Sequence, residues 1–321
     1  MTQVHRPKGS RIGFGTGPFS GRDDRAHQIK LIHAALDAGI THIDTARLYG
    51  DGTAEGIVGE AIKGRRQNVF LVSKAGIEPP VNGNIRRAMN KALSFGRKLP
   101  GGTGVLPAPQ WNEPAFGRFD TAYLRSSLET SLRALKTDHL DLFLLHEVDA
   151  QHLASGDVVD ALERWSREGL FASYGIASTR DQTRRILGAG SLAPQAIQTD
   201  LTAFTDDPLD LEKDNRLVVT HSWLGRPLAR FQKAFEVDPK LAEKAGRCLY
   251  ADVRRPHRLA RCLLEHALSA NSDGQVLFTT SKTERIEKMA AVAERPRMTP
   301  QQLSTLGSVV QRIREIEAEM A

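Results

Sequence analysis

The sequence predicts a (β/α)8 TIM barrel, in which eight parallel strands alternate with helices. Two observations support this: eight short apolar runs recur along the 321 residues, and amphipathic stretches separate them. Strands that alternate with helices form βαβ units and a parallel sheet. Eight units in one chain favour closure into a barrel, whose chemistry lies at the carboxyl ends of the strands.

The apolar runs have the length and composition of buried strands. In chain order they are Arg11–Gly15, Thr41–Ala46, Asn68–Lys74, Leu140–His146, Ser173–Ser178, Ala196–Leu201, Leu217–Ser222 and Val276–Thr280. An open Rossmann sheet would instead need a glycine-rich turn that opens a helix. The nearest candidate, GFGTG at residues 13–17, continues into Pro18 and lacks the GxGxxG spacing, which favours the closed barrel.

Between the runs, apolar residues recur at helical spacing. In the first such stretch Ile29, Ile32 and Leu36 form one stripe, and Gly39 is a stop signal. The predicted helices include Arg25–Ala38, Tyr123–Leu135, Val158–Arg167 and a C-terminal surface helix over Gln301–Met320.

Two segments interrupt this alternation. Ala75–Phe119, after the third strand, is rich in Gly, Pro and Arg. On a βα connection it would be a long loop insertion over the barrel mouth, where such loops are functional or mobile. Leu224–Pro256 follows the seventh strand, and we expect short helices over the same mouth. No linker divides the chain, so we expect residues 1–321 to form a single domain.

The composition is that of a globular protein, with 40% hydrophobic and 26% charged residues. No apolar run reaches the length of about 18 residues that a membrane helix needs. Residues 1–10 are polar and show no secretion signal. Cys248 and Cys262 lack metal-ligand spacing and are interpreted as reduced thiols, so we expect a cytoplasmic protein without a metal site.

The net charge of +6 raises the question of nucleic-acid binding. The basic residues are scattered, however, and no basic tail or basic-aromatic module is present. We therefore expect no nucleic-acid partner. An excess of positive charge would also attract a phosphorylated cofactor.

Ionisable residues end three consecutive predicted strands: Asp44, Lys74 and His146. Tyr49 lies on the loop that follows the first of them. Each of the four, taken alone, has an ordinary structural explanation. Asp44 could cap the following turn, Lys74 could be a surface residue, and His146 and Tyr49 could serve packing. Their coincidence at the end of a barrel where chemistry occurs favours a joint catalytic role.

The same residues lie in the segments HIDTARLYGDGTAEGIVGEAI, VFLVSKAG, LDLFLLHEVD and LFTTSKTERIEKM. These segments resemble the aldo-keto reductase superfamily, and the resemblance extends from Ile12 to about Met289. It implies a (β/α)8 barrel that reduces carbonyls or oxidises alcohols. The implied cofactor is NADP, with NAD as the alternative.

The resemblance also implies a role for each of the four residues. Tyr49 would be the proton donor, and Lys74 would lower its pKa from a usual value near 10. Asp44 would hold the Lys74 ammonium, and His146 would orient the substrate carbonyl and could share in proton relay.

For the cofactor, the resemblance implies contacts to the nicotinamide, pyrophosphate and 2′-phosphate. Ser178 stands where many members have an asparagine, His221 where an aromatic ring stacks on the nicotinamide, and Thr280 where some have a phosphate-binding lysine. The implied cofactor residues are Thr16, Ser178, Gln198, His221, Ser222, Leu224, Arg226, Thr280, Ser281, Lys282 and Arg285.

Two other functions stay open at this point. Lys74 could form a Schiff base, as in lysine-dependent aldolases, although this leaves Tyr49 and the eighth-strand segment unexplained. The chain could also be a non-catalytic nicotinamide-binding sensor or regulatory subunit. The sequence does not identify the substrate; the resemblance implies a small carbonyl compound or sugar, which we expect the Ala75–Phe119 insertion, Trp223, Glu147 and Val148 to contact.

Overall fold

The computed structural model describes residues 5–19, 24–80, 113–206, 215–294 and 298–320. Eight parallel strands form a closed barrel in which each strand pairs with the next and the last returns to the first. The strands are β1 Ile12–Gly15, β2 His42–Asp44, β3 Phe70–Ala75, β4 Leu140–His146, β5 Phe171–Ala177, β6 Ala196–Asp200, β7 Leu217–His221 and β8 Gln275–Phe278. The predicted barrel is confirmed, and every predicted strand is present with ends displaced by at most two residues.

Helices follow the strands and form the outer layer. They are α1 Arg25–Asp37, α2 Ala54–Ala61, α3 Thr121–Leu135, α4 Asp157–Arg167, α5 Arg180–Ala189, α6 Gly225–Val237, α7 Pro239–Leu249, α8 Pro256–Ala270, α9 Thr283–Ala293 and α10 Pro300–Glu319. Side chains of the residues just before α1 and α3 satisfy free backbone amides: Asp24 accepts from Ala26, and Asp120 accepts from Tyr123. The helices predicted from periodicity are confirmed, with ends that differ by one or two residues.

The barrel has two apolar layers, one inside the strands and one between strands and helices. The inner layer consists of Phe70, Val72, Leu142, Leu144, Ala177, Ala196, Leu217, Val219 and Leu277. Because side chains alternate along a strand, Lys74 continues the face of Phe70 and Val72. His146 likewise continues the face of Leu142 and Leu144. The packed interior therefore presents both ionisable groups at the carboxyl end of the barrel.

The two interruptions differ in form. Residues 81–112 of the expected loop insertion lie outside the described residues. Its ends are joined by an antiparallel bridge between Glu78 and Ala115, and Arg118 pairs with Glu78. The second interruption holds α6 and α7, which have 13 and 11 residues and so are longer than the short helices we expected. Both pack against the C-terminal helix α10.

None of the helices in the described part of the chain is long and apolar enough to cross a membrane.

Candidate active site

The catalytic residues predicted from the sequence meet at the carboxyl end of the barrel. Asp44 ends β2 and lies beside Val72 in the β2–β3 register, two residues before Lys74. Lys74 lies beside Leu144 of β4, two residues before His146. Parallel pairing therefore places the three strand ends side by side, as the sequence predicted.

Lys74 is the centre of this group, although its side chain is only 1% exposed. Its Nζ donates to Asp44 Oδ1 at 2.6 Å, to the Thr45 backbone oxygen at 3.0 Å and to the Tyr49 hydroxyl at 3.3 Å. The ammonium has three protons and three acceptors, so its hydrogen-bonding capacity is filled. It thereby joins the carboxylate and the phenol that we predicted to act together.

A tight turn brings Tyr49 back towards Lys74. The Tyr49 amide donates to the Ala46 oxygen at 3.1 Å, and Gly50 and Asp51 then adopt φ values of 62° and 53°. A Cβ on Gly50 would lie 3.0 Å from the Phe19 backbone oxygen. Glycine therefore suits position 50, because the turn requires a positive φ and leaves little space for a Cβ.

Electrostatics at Tyr49 and Lys74 reflect burial and pairing. Burial raises the pKa of Tyr49 above its usual value, and this outweighs the lowering by Lys74. Burial lowers the pKa of Lys74, but Asp44 and Tyr49 more than offset it, and the pKa lies above its usual value. The ammonium lowers the pKa of Tyr49 as expected, but desolvation has the larger effect and the net pKa is raised.

His146 lies beside the phenol, with its ring centroid 6.0 Å from that of Tyr49 and the two planes at 88°. Burial, the Lys74 ammonium and His221 lower the pKa of His146 to about 3. Burial also lowers the pKa of His221, against the opposing effect of Asp44 and Asp200. Both imidazoles are therefore neutral near pH 7.

Two of the predicted cofactor residues contact Asp44. Gln198 Nε2 donates to Asp44 Oδ2 at 3.2 Å, while its Oε1 is buried and has no hydrogen-bond partner within the described ranges. Thr16 donates from its amide and from its hydroxyl to the Asp44 backbone oxygen, at 2.9 and 3.1 Å. Ser178, by contrast, donates to the Val148 oxygen at 2.8 Å.

The GIAS segment that carries Ser178 depends on close contact between β5 and β6. A Cβ on Gly175 would lie 1.9 Å from the Ala196 backbone oxygen, so no larger residue fits without moving a strand. This glycine therefore has a packing role, and it sets the position of the strand that ends just before Ser178.

The other predicted cofactor residues lie outside the hydrogen-bonded group around Lys74. His221 ends β7, and its Nδ1 lies 2.8 Å from the Ser222 hydroxyl. Leu224 and Arg226 flank the first residue of α6, and Thr280, Ser281 and Lys282 connect β8 to α9, which contains Arg285. His27 of α1 lies 2.8 Å from the Ser281 backbone oxygen. The β7 and β8 loops are adjacent because their strands pair.

The residues expected to contact substrate fall into two groups. Trp223 is 3% exposed, with its Nε1 donating to the Leu277 oxygen at 2.8 Å, and Val148 is fully buried. Both pack in the apolar layer between the strands and the helices. Glu147 is exposed and has a φ of 56°. Partial desolvation of its carboxyl and the charge of Asp200 raise its pKa. Among these three, only Glu147 is available at the mouth.

Sequence reasoning missed one group that binds Lys74 and one that binds its neighbour on β3. The Thr45 backbone oxygen binds Lys74, and no side-chain pattern shows a backbone acceptor. Glu55 is 1% exposed on α2 and binds Ser73, the neighbour of Lys74. Its position in a helix that begins directly after the Tyr49 turn was the available signal.

Curated proteins match parts of this chain in sequence. The methylglyoxal reductase YeaE of Escherichia coli (strain K12) is 31% identical over 169 residues, which are 52% of this chain and 45% of that protein. A 6-dehydroglucose reductase of Agrobacterium fabrum is 32% identical over 164 residues, or 48% and 46% of the two chains. The chain thus spans about half the length of these curated relatives.

Similarity to solved structures covers more of the chain. The aldo/keto reductase from Klebsiella pneumoniae in complex with NADP and acetate superposes with a TM-score of 0.61 at 22% identity. The match covers 95% of this chain and 96% of that one, and it shows the shared fold. The family model described as "Aldo/keto reductase family" matches residues 11–311, and the chain belongs to that family.

Proposed function

We propose that the chain is an oxidoreductase that uses NADPH, or NADH, to reduce a carbonyl or to oxidise the corresponding alcohol, with Tyr49 as the proton donor. The observation that supports this best is the continuous hydrogen-bonded series Asp44–Lys74–Tyr49, with the His146 ring beside the phenol. In this series Tyr49 is the acid, Lys74 lowers its pKa, and Asp44 holds Lys74 in place.

Carbonyl reduction needs such an acid. When hydride adds to a C=O carbon, negative charge develops on the oxygen, and a positioned donor must neutralise it. The Tyr49 hydroxyl would donate its proton to that oxygen. The Lys74 ammonium, 3.3 Å from the hydroxyl, would stabilise the phenolate that remains. Asp44 keeps the ammonium charged and oriented.

His146 would orient the substrate rather than supply the proton. An imidazole with a pKa of about 3 is neutral near pH 7, so it is a poor reservoir of protons. A neutral imidazole still has one N–H, which can donate to the carbonyl oxygen. Two donors, Tyr49 and His146, would then converge on one oxygen atom.

The residues at the mouth fit a nicotinamide cofactor, which would supply the hydride when bound. The buried Gln198 Oε1 has no protein partner in the described structure and would accept from a carboxamide amino group. Lys282 and Arg285 lie at the start of α9, where a helix N-terminus also favours a phosphate. We assign them to the 2′-phosphate of NADP, the cofactor in the Klebsiella pneumoniae relative.

For the substrate, we propose a small carbonyl compound or a sugar. Glu147 presents a carboxylate beside His146, and carboxylate oxygens accept hydrogen bonds from hydroxyl groups. The names of the curated relatives, a methylglyoxal reductase and a 6-dehydroglucose reductase, agree with this range. Because Glu147 directly follows His146, we expect it to contact hydroxyl groups of the substrate rather than the cofactor.

A Schiff-base role for Lys74 has less support. A lysine must be a neutral amine to attack a carbonyl, whereas Asp44 and Tyr49 hold the pKa of Lys74 above its usual value. All three ammonium protons are also engaged. Borohydride trapping of carbonyl compounds on Lys74 should therefore give no adduct.

The substitution Tyr49→Phe tests the proposal, with Tyr250→Phe as the matched control because Tyr250 is 85% exposed. Fluorescence titration with NADPH and NADH would measure cofactor binding, and a panel of carbonyls and sugars would measure turnover. We expect Tyr49→Phe to lower kcat by about 10² to 10⁴, the usual effect of losing a general acid, with cofactor binding nearly unchanged. Near-parental kcat would exclude Tyr49 as the donor. A parent that binds NADPH but reduces none of the panel would favour a non-catalytic binder.

A further inference from the structure

Glu55 is a buried acid that the proposed chemistry does not use. It lies in the first turn of α2, directly after the turn that carries Tyr49, and is 1% exposed. A carboxyl group is rarely buried to this extent unless specific partners hold it.

Two partners of Glu55 lie next to Lys74 and Tyr49 in the chain. Ser73 donates from its hydroxyl to Glu55 Oε1 at 2.6 Å, and Ser73 immediately precedes Lys74 on β3. Arg47, two residues before Tyr49, places its Nη1 3.8 Å from Glu55 Oε2. Glu55 therefore joins the strand that carries Lys74 to both ends of the turn that carries Tyr49.

We propose that Glu55 is a positioning residue that sets the separation between the Tyr49 hydroxyl and the Lys74 ammonium. The two side chains belong to different elements, and their 3.3 Å contact requires the β2–α2 connection to stay fixed against β3. The Glu55–Ser73 bond is a side-chain link across that boundary. The inference rests on the proposed pairing of Lys74 with Tyr49.

The charges around the site show why the separation matters. Asp44, Glu147 and burial all raise the pKa of Tyr49, and Lys74 is the group that opposes them. Because the effect of a charge falls with distance, a small outward movement of the turn would weaken the effect that favours the phenolate. Burial raises the pKa of the Glu55 carboxyl, against the opposing effect of its hydrogen bonds to Ser73 and Ser131 and of the charges on Arg47 and Lys74.

The test measures the environment of the Tyr49 phenol directly and needs no substrate. The chain has four tyrosines, so protein labelled with ¹³C at the tyrosine Cζ gives a small set of signals, and Tyr49→Phe assigns one of them. The variants are Glu55→Ala, Glu55→Gln, Ser73→Ala and Lys74→Met. Glu60→Ala is the control, because Glu60 is an exposed acid on the same helix.

Lys74→Met should displace the Tyr49 signal by removing its hydrogen-bond donor. We expect Glu55→Ala and Ser73→Ala to displace it in the same direction by a smaller amount, and Glu60→Ala to leave it in place. Glu55→Gln keeps an acceptor for Ser73 and should restore most of the parental shift. With a carbonyl compound that the parent protein reduces, kcat in Glu55→Ala should fall by about ten- to a hundredfold with an unchanged Kd for NADPH.

A parental Tyr49 signal in Ser73→Ala and in folded Glu55→Ala, beside a displaced one in Lys74→Met, would overturn the positioning role alone. An undisplaced signal in Lys74→Met would instead refute the Lys74–Tyr49 pairing on which the proposed function depends. Loss of stability without a change in the signal would mark Glu55 as a structural residue only. If Glu55→Ala does not fold, Ser73→Ala removes the same bond from the other side.

Discussion

Replacement of Lys74 by methionine gives the most direct test of the proposed chemistry. The substitution keeps a long apolar side chain and removes the ammonium that lies 3.3 Å from the Tyr49 hydroxyl. At that distance, and with an effective dielectric constant of about 20, the ammonium stabilises a phenolate by about 5 kcal/mol. Since one pKa unit corresponds to about 1.4 kcal/mol, the upper limit is a shift of about three to four units.

The shift should be smaller, because Asp44 lies 2.6 Å from the same ammonium and cancels part of its field. Effects of about one to three units are typical for an opposite charge this close. The sign is fixed: an ammonium favours the deprotonated phenol, so its removal raises the pKa of Tyr49. Alcohol oxidation needs the phenolate as proton acceptor, and its rate should therefore reach half maximum at higher pH in Lys74→Met.

The assay is the pH dependence of kcat for oxidation of the best alcohol in the panel, at saturating oxidised cofactor. Lys63→Met is the matched control, because Lys63 is exposed at the end of α2. The control should keep the parental midpoint. If Lys74→Met also keeps that midpoint while remaining folded, the ammonium does not tune Tyr49, and the reasoning fails.

Three further substitutions test other parts of the structure. Arg285→Ala should weaken NADPH binding by about 1.5–3 kcal/mol and leave NADH binding unchanged. Fluorescence titration measures both, with Arg164→Ala on α4 as the control. Equal losses for both cofactors would contradict the 2′-phosphate assignment. Glu147→Ala should change the order of preferred substrates more than the Kd for NADPH, and an unchanged order across the panel would place the substrate elsewhere. Burial lowers the pKa of His42 from 6.5 to about 4, so the unfolded chain binds the proton more readily between these values and stability should fall as the pH drops from 6.5 to 4. Chemical unfolding should show that His42→Gln reduces this loss by about 3 kcal/mol, and a parallel pH dependence in both proteins would refute the attribution to His42.

The strands, their order along the chain and the strand ends at which chemistry is expected can all be predicted from local sequence patterns. Strand and helix patterns are local, because alternation and helical periodicity follow from backbone geometry over a few residues. The faces of Lys74 and His146 follow from the same alternation, since each continues a run of apolar neighbours two residues apart. Joining Asp44, Lys74 and His146 into one site needed only the rule that parallel strands end together, and the family resemblance added Tyr49.

The groups that contact these four residues could not be predicted in this way, because they come from elements far apart in the chain. The closure that pairs Phe14 with Phe278 joins the two ends of the barrel, and no local pattern encodes a contact over that separation. Burial of Trp223 and Val148 and the exposure of Glu147 depend on packing between strands and helices. The net direction of the Tyr49 pKa depends on the competition between desolvation and a charge 3.3 Å away. Such balances are set by distances between elements, which the order of residues along a chain does not contain.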